Sequence, residues 1–353
     1  MRFGKTQTSV WFFVSILMLF LGTFLTTAIV HAQQQQGAAI PAEQELSPQA
    51  SKPKKDNPKQ RESWEDDEDF DSLSLAQSNL IPEKPLTGAI EKQPAFTREL
   101  IQVRWRLGDP LDLWVMKPAG VEKPPVVLYL YGYPSDTDRF RDDRFCERIT
   151  RGGYAAVGFV SALTGHRYHD RPMKEWFVSE MQESLVKSTH DVQMIINYLE
   201  TRGDLDMDRV GMFGQGSGGA IAILAAAVDP RIKTINVIDP WGDWPDWMTT
   251  SGRIPEVERP RYVTPEFQKQ IAPFDPVLWL PKLAPRPVRI QDVMDDPYTP
   301  EICKKKIEAA APKSAQIVRY DDTQALHVAS YGGKTFDWIK EQLKPASKES
   351  AAK

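Results

Sequence analysis

Disulfides, nucleotide loops and excess positive charge are all missing from this chain. Its 353 residues include only two cysteines, Cys146 and Cys303, which excludes a small disulfide-stapled scaffold. There is no G-x-x-x-x-G-K-[ST] phosphate loop and no Cys/His run with zinc-ligand spacing. Five histidines are present. Two of them lie in His166-Arg167-Tyr168-His169-Asp170, where a single H-x-x-H pair falls short of a metal-ligand set. Neither a metal nor a cofactor is therefore expected. Lys and Arg number 44 against 48 Asp and Glu, a net charge of −4, so the basic patch that marks a nucleic-acid binder is not expected. No internal repeat divides the sequence into modules.

What is present starts with a leader. Arg2 and Lys5 precede an uncharged apolar stretch from Val10 to Val30, followed by Val30-His31-Ala32 and four glutamines. A basic start, an apolar core and a small-x-small end predict an export signal over residues 1–32, cleaved after Ala32. Left uncut, the same stretch is long enough to tether the chain to a membrane. Either outcome predicts a periplasmic or secreted domain. In that oxidising setting Cys146 and Cys303 fall on helices expected on opposite faces of a sheet, so they read as small buried apolar residues, not as a bridge.

Residues 33–93 are rich in Gln, Pro, Lys, Glu and Ser. Such a segment cannot bury enough apolar area to offset its chain entropy, which predicts a disordered linker. Within it a basic run around Lys52 to Arg61 precedes the acidic block Glu65-Asp66-Asp67-Glu68-Asp69, bracketed by Trp64 and Phe70. That block is either solvated tether or a short docking motif. The last residues, 346–353, are polar and small and are expected to form a flexible tail.

Between residues 94 and 345 apolar runs alternate with helical patterns. Leu100–Leu107 and Leu111–Met116 read as an opening hairpin. Val126–Tyr131 is continuous and apolar, as in a strand buried on both faces. Strands are expected again at 154–160, 210–213, 234–238, 288–294 and 316–320. Helices are expected at 137–150, 179–200, 300–311 and 329–343. An irregular, lid-like insert fills 241–283. Strands alternating with helices predict an α/β domain with a mostly parallel, eight-stranded sheet covered on both faces, large enough to bury a core alone.

The most informative segment is Gly214-Gln215-Gly216-Ser217-Gly218-Gly219, set between the apolar Val210–Phe213 and the small-residue run Ala220–Ala225. A strand, a glycine-rich turn and a helix follow one another directly. The arrangement resembles the nucleophile elbow of the α/β-hydrolases, where a G-x-S-x-G turn exposes a strained serine above the sheet. The stretch Asp206–Lys233 is similar to the elbow region of the dienelactone-hydrolase and prolyl-oligopeptidase-like branches. The stretch Arg286–Pro300 is similar to their acid-bearing strand and loop. If Gly214 and Gly218 flank the turn, the nucleophile position is Gly216, which has no hydroxyl. If the turn is shifted by one residue, Ser217 is the nucleophile.

The resemblance implies the remaining roles. The family acid falls on Asp296, with Asp295 beside it, in the D-P-x-x-P loop after the acid strand. The family base falls on His327, after the last strand. An aspartate holding one imidazole nitrogen would fix its tautomer and stabilise the imidazolium. Oxyanion-hole donors would be the backbone N–H groups of Ser217 and Tyr133. Trp241, Trp244 and Trp247 open the insert, either as an apolar or sugar-stacking wall or as packing for the insert.

Two functions remain open on these residues. One is a catalytically degenerate hydrolase that binds a small acyl ester, peptide or sugar ester in the old pocket, in which Gly216→Ser would complete a triad. The other is a working serine hydrolase using Ser217, Asp296 and His327.

Overall fold

A computed structural model describes residues 68–344 except 77, 79, 107, 136, 164–166 and 168–179. The expected leader, the basic run, Trp64 and the tail at 346–353 lie outside these residues, as do four of the five residues of the H-x-x-H-D loop. The fifth, Arg167, is buried and ion-paired to Asp109 and Asp191, each at 2.6 Å.

Nine strands form one sheet in the order β1-β2-β3-β5-β4-β6-β7-β8-β9. They are β1 (Leu86–Lys92), β2 (Phe96–Val103), β3 (Leu111–Pro118), β4 (Pro125–Leu130), β5 (Ala155–Gly158), β6 (Asp206–Gln215), β7 (Ile232–Ile238), β8 (Val288–Val293) and β9 (Gln316–Tyr320). β1, β2 and β3 are antiparallel, β3 meets β5 antiparallel, and every pair from β5 to β9 is parallel. The central strands carry Val, Ile, Leu and Tyr on both faces and are buried on both, as crossover helices require. Those helices are α1 (Asp143–Thr150), α2 (Met181–Arg202), α3 (Ser217–Val228), α4 (Trp244–Thr250), α5 (Glu301–Ala310), α6 (Thr323–Tyr331) and α7 (Lys334–Gln342). Cys146 and Cys303 are both free and buried.

Three expectations need correction. The sheet has nine strands, not eight, because β1 lies inside the expected linker. Its seven residues are all exposed, so β1 has no buried face to give it a hydrophobic alternation. It is held to the sheet by its ladder with β2.

The linker in fact ends before Glu68. From there the chain packs as a strap across α2. Glu68 pairs with Arg106, and its Oε1 lies 2.6 Å from Nδ1 of His190, whose Nε2 lies 2.7 Å from the Ser72 carbonyl. Phe70 tilts against the His190 ring at 6.3 Å between centroids. Leu73 is buried in the main core, worth roughly 1.5–3 kcal/mol for a side chain of that size. Arg106 and His190 hold Glu68 below the usual carboxylate range, against its partial burial. Glu68 and Phe70 thus dock onto their own domain, and residues 65–67 of the acidic block lie outside the described residues.

The insert after β7 is not irregular. It is a series of short helices, with Pro245, Pro265 and Pro276 in their first turns, where a missing N–H costs nothing. Thr264 and Asp275 cap two of them with side-chain oxygens, satisfying N–H groups that would otherwise be orphaned.

Candidate functional site

Strand β6 ends at Gln215 and α3 begins at Ser217, leaving one residue to reverse the chain. Gly216 takes φ 55° and ψ −120°, a conformation reserved almost wholly for glycine. Its N–H donates to the Ile238 carbonyl at 2.9 Å, and its carbonyl accepts from the Trp241 N–H at 3.1 Å. The flanking glycines explain the turn's register. A Cβ on Gly214 would lie 2.3 Å from the Gly218 carbonyl oxygen, and one on Gly218 would lie 2.2 Å from that of Leu130. A Cβ on Gly216 meets the Trp241 indole at 3.3 Å and the Gly132 Cα at 3.8 Å. The exposed apex is therefore Gly216, and the turn reads Gly214-x-Gly216-x-Gly218.

Ser217 lies one residue past the apex and is fully buried. Its Oγ accepts the Tyr133 backbone N–H at 2.9 Å. The Ser217 N–H, first in α3, finds no acceptor among the described residues. Of the two backbone donors expected to converge on a ligand oxygen, one is thus spent on a side chain inside the protein.

A cavity of about 210 Å³ lies over the apex, lined by Gly216, Tyr133, Trp241, Tyr298 and four charged residues, Arg139, Arg253, Asp239 and Asp296. Arg253 lies over the Tyr298 ring at 3.6 Å, and Arg139 over the Tyr131 ring at 3.6 Å. The elbow glycines also fit the G-x-G-x-x-G spacing of dinucleotide turns, with Asp239 about twenty positions on. The third glycine of that spacing is set by packing, since a Cβ on Gly219 would lie 3.0 Å from Pro240.

Asp296 is in the cavity wall, as the resemblance implies. Its Oδ2 accepts the Thr299 N–H at 2.8 Å, closing the loop after β8. Asp295 is exposed and outside the wall. His327 is not in the wall either. It sits exposed in α6 and makes no hydrogen bond to Asp296. The helix forms because Asp322 caps it, accepting the Ala325 N–H at 2.7 Å, a signal that the reading of this segment as loop passed over. The Asp296–His327 pair is therefore not assembled.

The tryptophans divide in the same way. Trp241 lines the cavity. Trp244 and Trp247 are fully buried, donating their indole N–H groups to the Phe274 and Tyr298 carbonyls at 3.1 and 2.9 Å. Trp247 backs Trp241, with ring centroids 4.7 Å apart. All three belong to the core, and only Trp241 also reaches the cavity.

Asp239 was missed by the sequence reading. It ends β7 beside Gly216 and has φ 43°, a rare conformation for a residue with a side chain. Its Oδ1 accepts the Val293 N–H at 2.8 Å and lies 3.8 Å from the buried Lys304 ammonium. Burial, opposed by the Val293 N–H and reinforced by Asp296, pushes its carboxyl up to about 7. Behind it Asp292 is 1% exposed, with neither carboxyl oxygen hydrogen-bonded among the described residues. Burial first, then Asp239 and Glu308, push Asp292 up to about 8. The available clue was position alone: a carboxylate at the C-terminal end of a parallel strand, where open α/β sheets hold ligands.

Comparison with known proteins agrees with this architecture. Residues 111–240 match the dienelactone hydrolase family. An uncharacterised 31.7 kDa protein of Escherichia coli is 27% identical over 130 residues, 37% of this chain and 42% of that one. The match thus spans less than half of that relative's length. Acetyl xylan esterase from Paenibacillus sp. R4 superposes with a TM-score of 0.61 at 16% identity, over 79% of this chain and 92% of that one. Acetyl xylan esterase 1 from Thermoanaerobacterium sp. JW/SL YS485 gives 0.57 at 14% identity, over 74% and 88%.

Proposed function

We propose that this α/β-hydrolase-superfamily chain is an exported, catalytically degenerate relative of ester and peptide hydrolases that binds a small ligand over Gly216. The observation that carries this reading is the apex itself, where the residue in the strained elbow conformation is glycine. Covalent acyl transfer needs a nucleophilic side chain at that point and a base within hydrogen-bond reach of it. The neighbouring hydroxyl, on Ser217, is buried and bound to Tyr133, and His327 stands outside the cavity. What remains is a recess with aromatic walls, charges of both signs and one open backbone donor, which suits the acyl esters, peptides or sugar esters that the fold's relatives handle.

The export part of the proposal rests on the leader in residues 1–32. No described helix is long and apolar enough to cross a membrane, and residues 10–30 lie outside the described set. N-terminal sequencing of protein recovered from its source cell tests it: a mature start at Gln33 supports cleavage, and a retained Met1 on membrane-bound material identifies a tether.

The catalytic part is tested with a fluorophosphonate probe and p-nitrophenyl acetate. The expected outcome is neither labelling nor turnover above the buffer rate. Stoichiometric labelling of Ser217 would establish instead the working hydrolase that uses it.

A further inference from the structure

A second cavity, of about 480 Å³, opens at the opposite end of the sheet from Gly216. Its walls come from the segment leading into β4 at Pro125, the loop after α1, Arg209 on β6, and α7 from Asp337 onward with the residues that follow it. Five cationic side chains line it, Lys123, Arg151, Arg209, Lys340 and Lys344, against two carboxylates, Asp337 and Glu341.

Three of the five cations are already engaged. Arg209 donates to Asp206 at 2.7 Å and to the Leu343 carbonyl at 2.9 Å. Lys344 pairs with Glu341, and Lys340 with Asp337 at 3.1 Å. Lys123 and Arg151 have no carboxylate partner among the described residues. Two uncompensated charges therefore face one concave space.

Lys340 senses that imbalance. Its side chain is only 11% exposed, with the ammonium 5.2 Å from the Tyr154 ring centroid. Its stem packs where a Cβ on Gly152 would come within 2.9 Å of Cδ. Burial and the Arg151 charge hold the amine below the usual lysine range, although Asp337 acts the other way.

We propose that this cavity is a binding site for a small phosphate-bearing dianion, held by Arg151, Lys123 and Lys340. A dianion supplies the two charges the walls lack. Charge-assisted contacts in a recess hold more strongly than the same contacts on an open surface. The site is separate from the elbow and independent of what the elbow binds.

Pyridoxal 5′-phosphate is the probe, because it brings a phosphate and an aldehyde in one molecule. Its phosphate would dock on Arg151 and Lys123, and the unprotonated Lys340 amine would attack the aldehyde carbon. The carbonyl oxygen leaves as water, taking the two amine protons, and an imine remains. Borohydride then delivers hydride to the imine carbon and solvent a proton to nitrogen, fixing the adduct as a secondary amine.

The full chain is treated with equimolar probe, reduced and mapped by peptide mass spectrometry. The expected result is adduct concentrated on Lys340. Inorganic phosphate should protect it, and Arg151→Gln should lower it about tenfold, the loss of one charge-assisted contact. Arg151 is exposed, so the variant should melt with the wild type. Adduct spread over exposed lysines such as Lys305, or adduct on Lys340 indifferent to both phosphate and Arg151→Gln, would overturn the proposal.

A vesicle arm separates the two sources of phosphate. Co-sedimentation with phosphatidic acid vesicles but not phosphatidylcholine vesicles, lost in Arg151→Gln, would make the ligand a lipid headgroup. Phosphate protection without sedimentation would make it a free solute.

Discussion

The Tyr133 backbone N–H donates to Ser217 Oγ at 2.9 Å, so the hydroxyl next to the elbow apex is occupied by one of the groups expected to bind a ligand's oxyanion. Ser217 here serves its own turn. Removing it in Ser217→Ala leaves the Tyr133 N–H without that acceptor, at a cost of about 1–3 kcal/mol. Urea denaturation should show a lower midpoint with an unchanged slope. Ligand binding over Gly216 should be kept or strengthened, because the N–H is released toward the cavity. A Ser217→Ala variant that loses an esterase activity present in the wild type would mean the hydroxyl is chemically engaged.

Gly216→Ser tests what the apex alone has lost. The new Cβ meets the Trp241 indole at 3.3 Å and the Gly132 Cα at 3.8 Å, while the positive φ imposes strain of roughly 1–3 kcal/mol. The variant should fold with a lower melting temperature. The sequence implied that this change would complete a triad, but His327 is exposed in α6 and outside the cavity. The variant should therefore remain inert toward p-nitrophenyl acetate, and His327→Ala in the same background should change nothing. Turnover that disappears on adding His327→Ala would show that α6 rearranges to deliver the base.

The buried carboxyls behind the cavity set a pH dependence. Asp239 and Asp292 are pushed up to about 7 and about 8, well above the value of about 3.9 for an unfolded aspartate. The folded state holds their protons longer than the unfolded state does. Their contribution is complete below about pH 4 and is lost as pH rises through 7 and 8. Asp191 acts in the opposite sense. Arg106 and Arg167 hold it well below the ordinary range despite its burial, so its contribution is lost as pH falls through the acid range. Melting temperature should peak in mildly acidic buffer and decline toward pH 8. Asp292→Asn should flatten the alkaline side, and an unchanged alkaline slope in that variant would contradict the assignment.

Glu68 anchors the strap over α2. It is the partner of both Arg106 and His190; Arg106 keeps Asp191 as a second partner, so removing Glu68 costs its charge-assisted hydrogen bonds, about 1.5–3 kcal/mol. Glu68→Ala should lower the unfolding midpoint and open cleavage sites between residues 68 and 80 in limited proteolysis. A strap equally resistant in the variant would mean Leu73 and Phe70 suffice to hold it.

The sequence made the sheet readable where each strand satisfies its neighbours on both faces, as in Val126–Tyr131, and made the elbow readable because Gly214 and Gly218 have no room for a Cβ and Gly216 takes a positive φ. Asp296, read as the acid from the D-P-x-x-P loop, lies in the cavity wall and closes that loop with its own carboxylate. His327 was misplaced because one aspartate, Asp322, turns the expected loop into a helix. The strap and β1 were illegible for a different reason. Glu68 is ordered by an arginine 38 positions away and a histidine 122 positions away, and no local window records such partners. Asp239 carried no motif of its own. Its role follows from Gly216 and Lys304, which only the fold brings to it.

The exposed strand β1 decides where this domain can be cut. A fragment begun at residue 94, at the limit the composition suggests, would lose Glu68, Leu73 and all of β1, leaving the bare N–H and C=O groups of β2 on the sheet's rim. An unpaired rim of that kind recruits strands from other molecules. Shortened forms should therefore precipitate or pair edge to edge, and a soluble fragment has to begin upstream of Glu68.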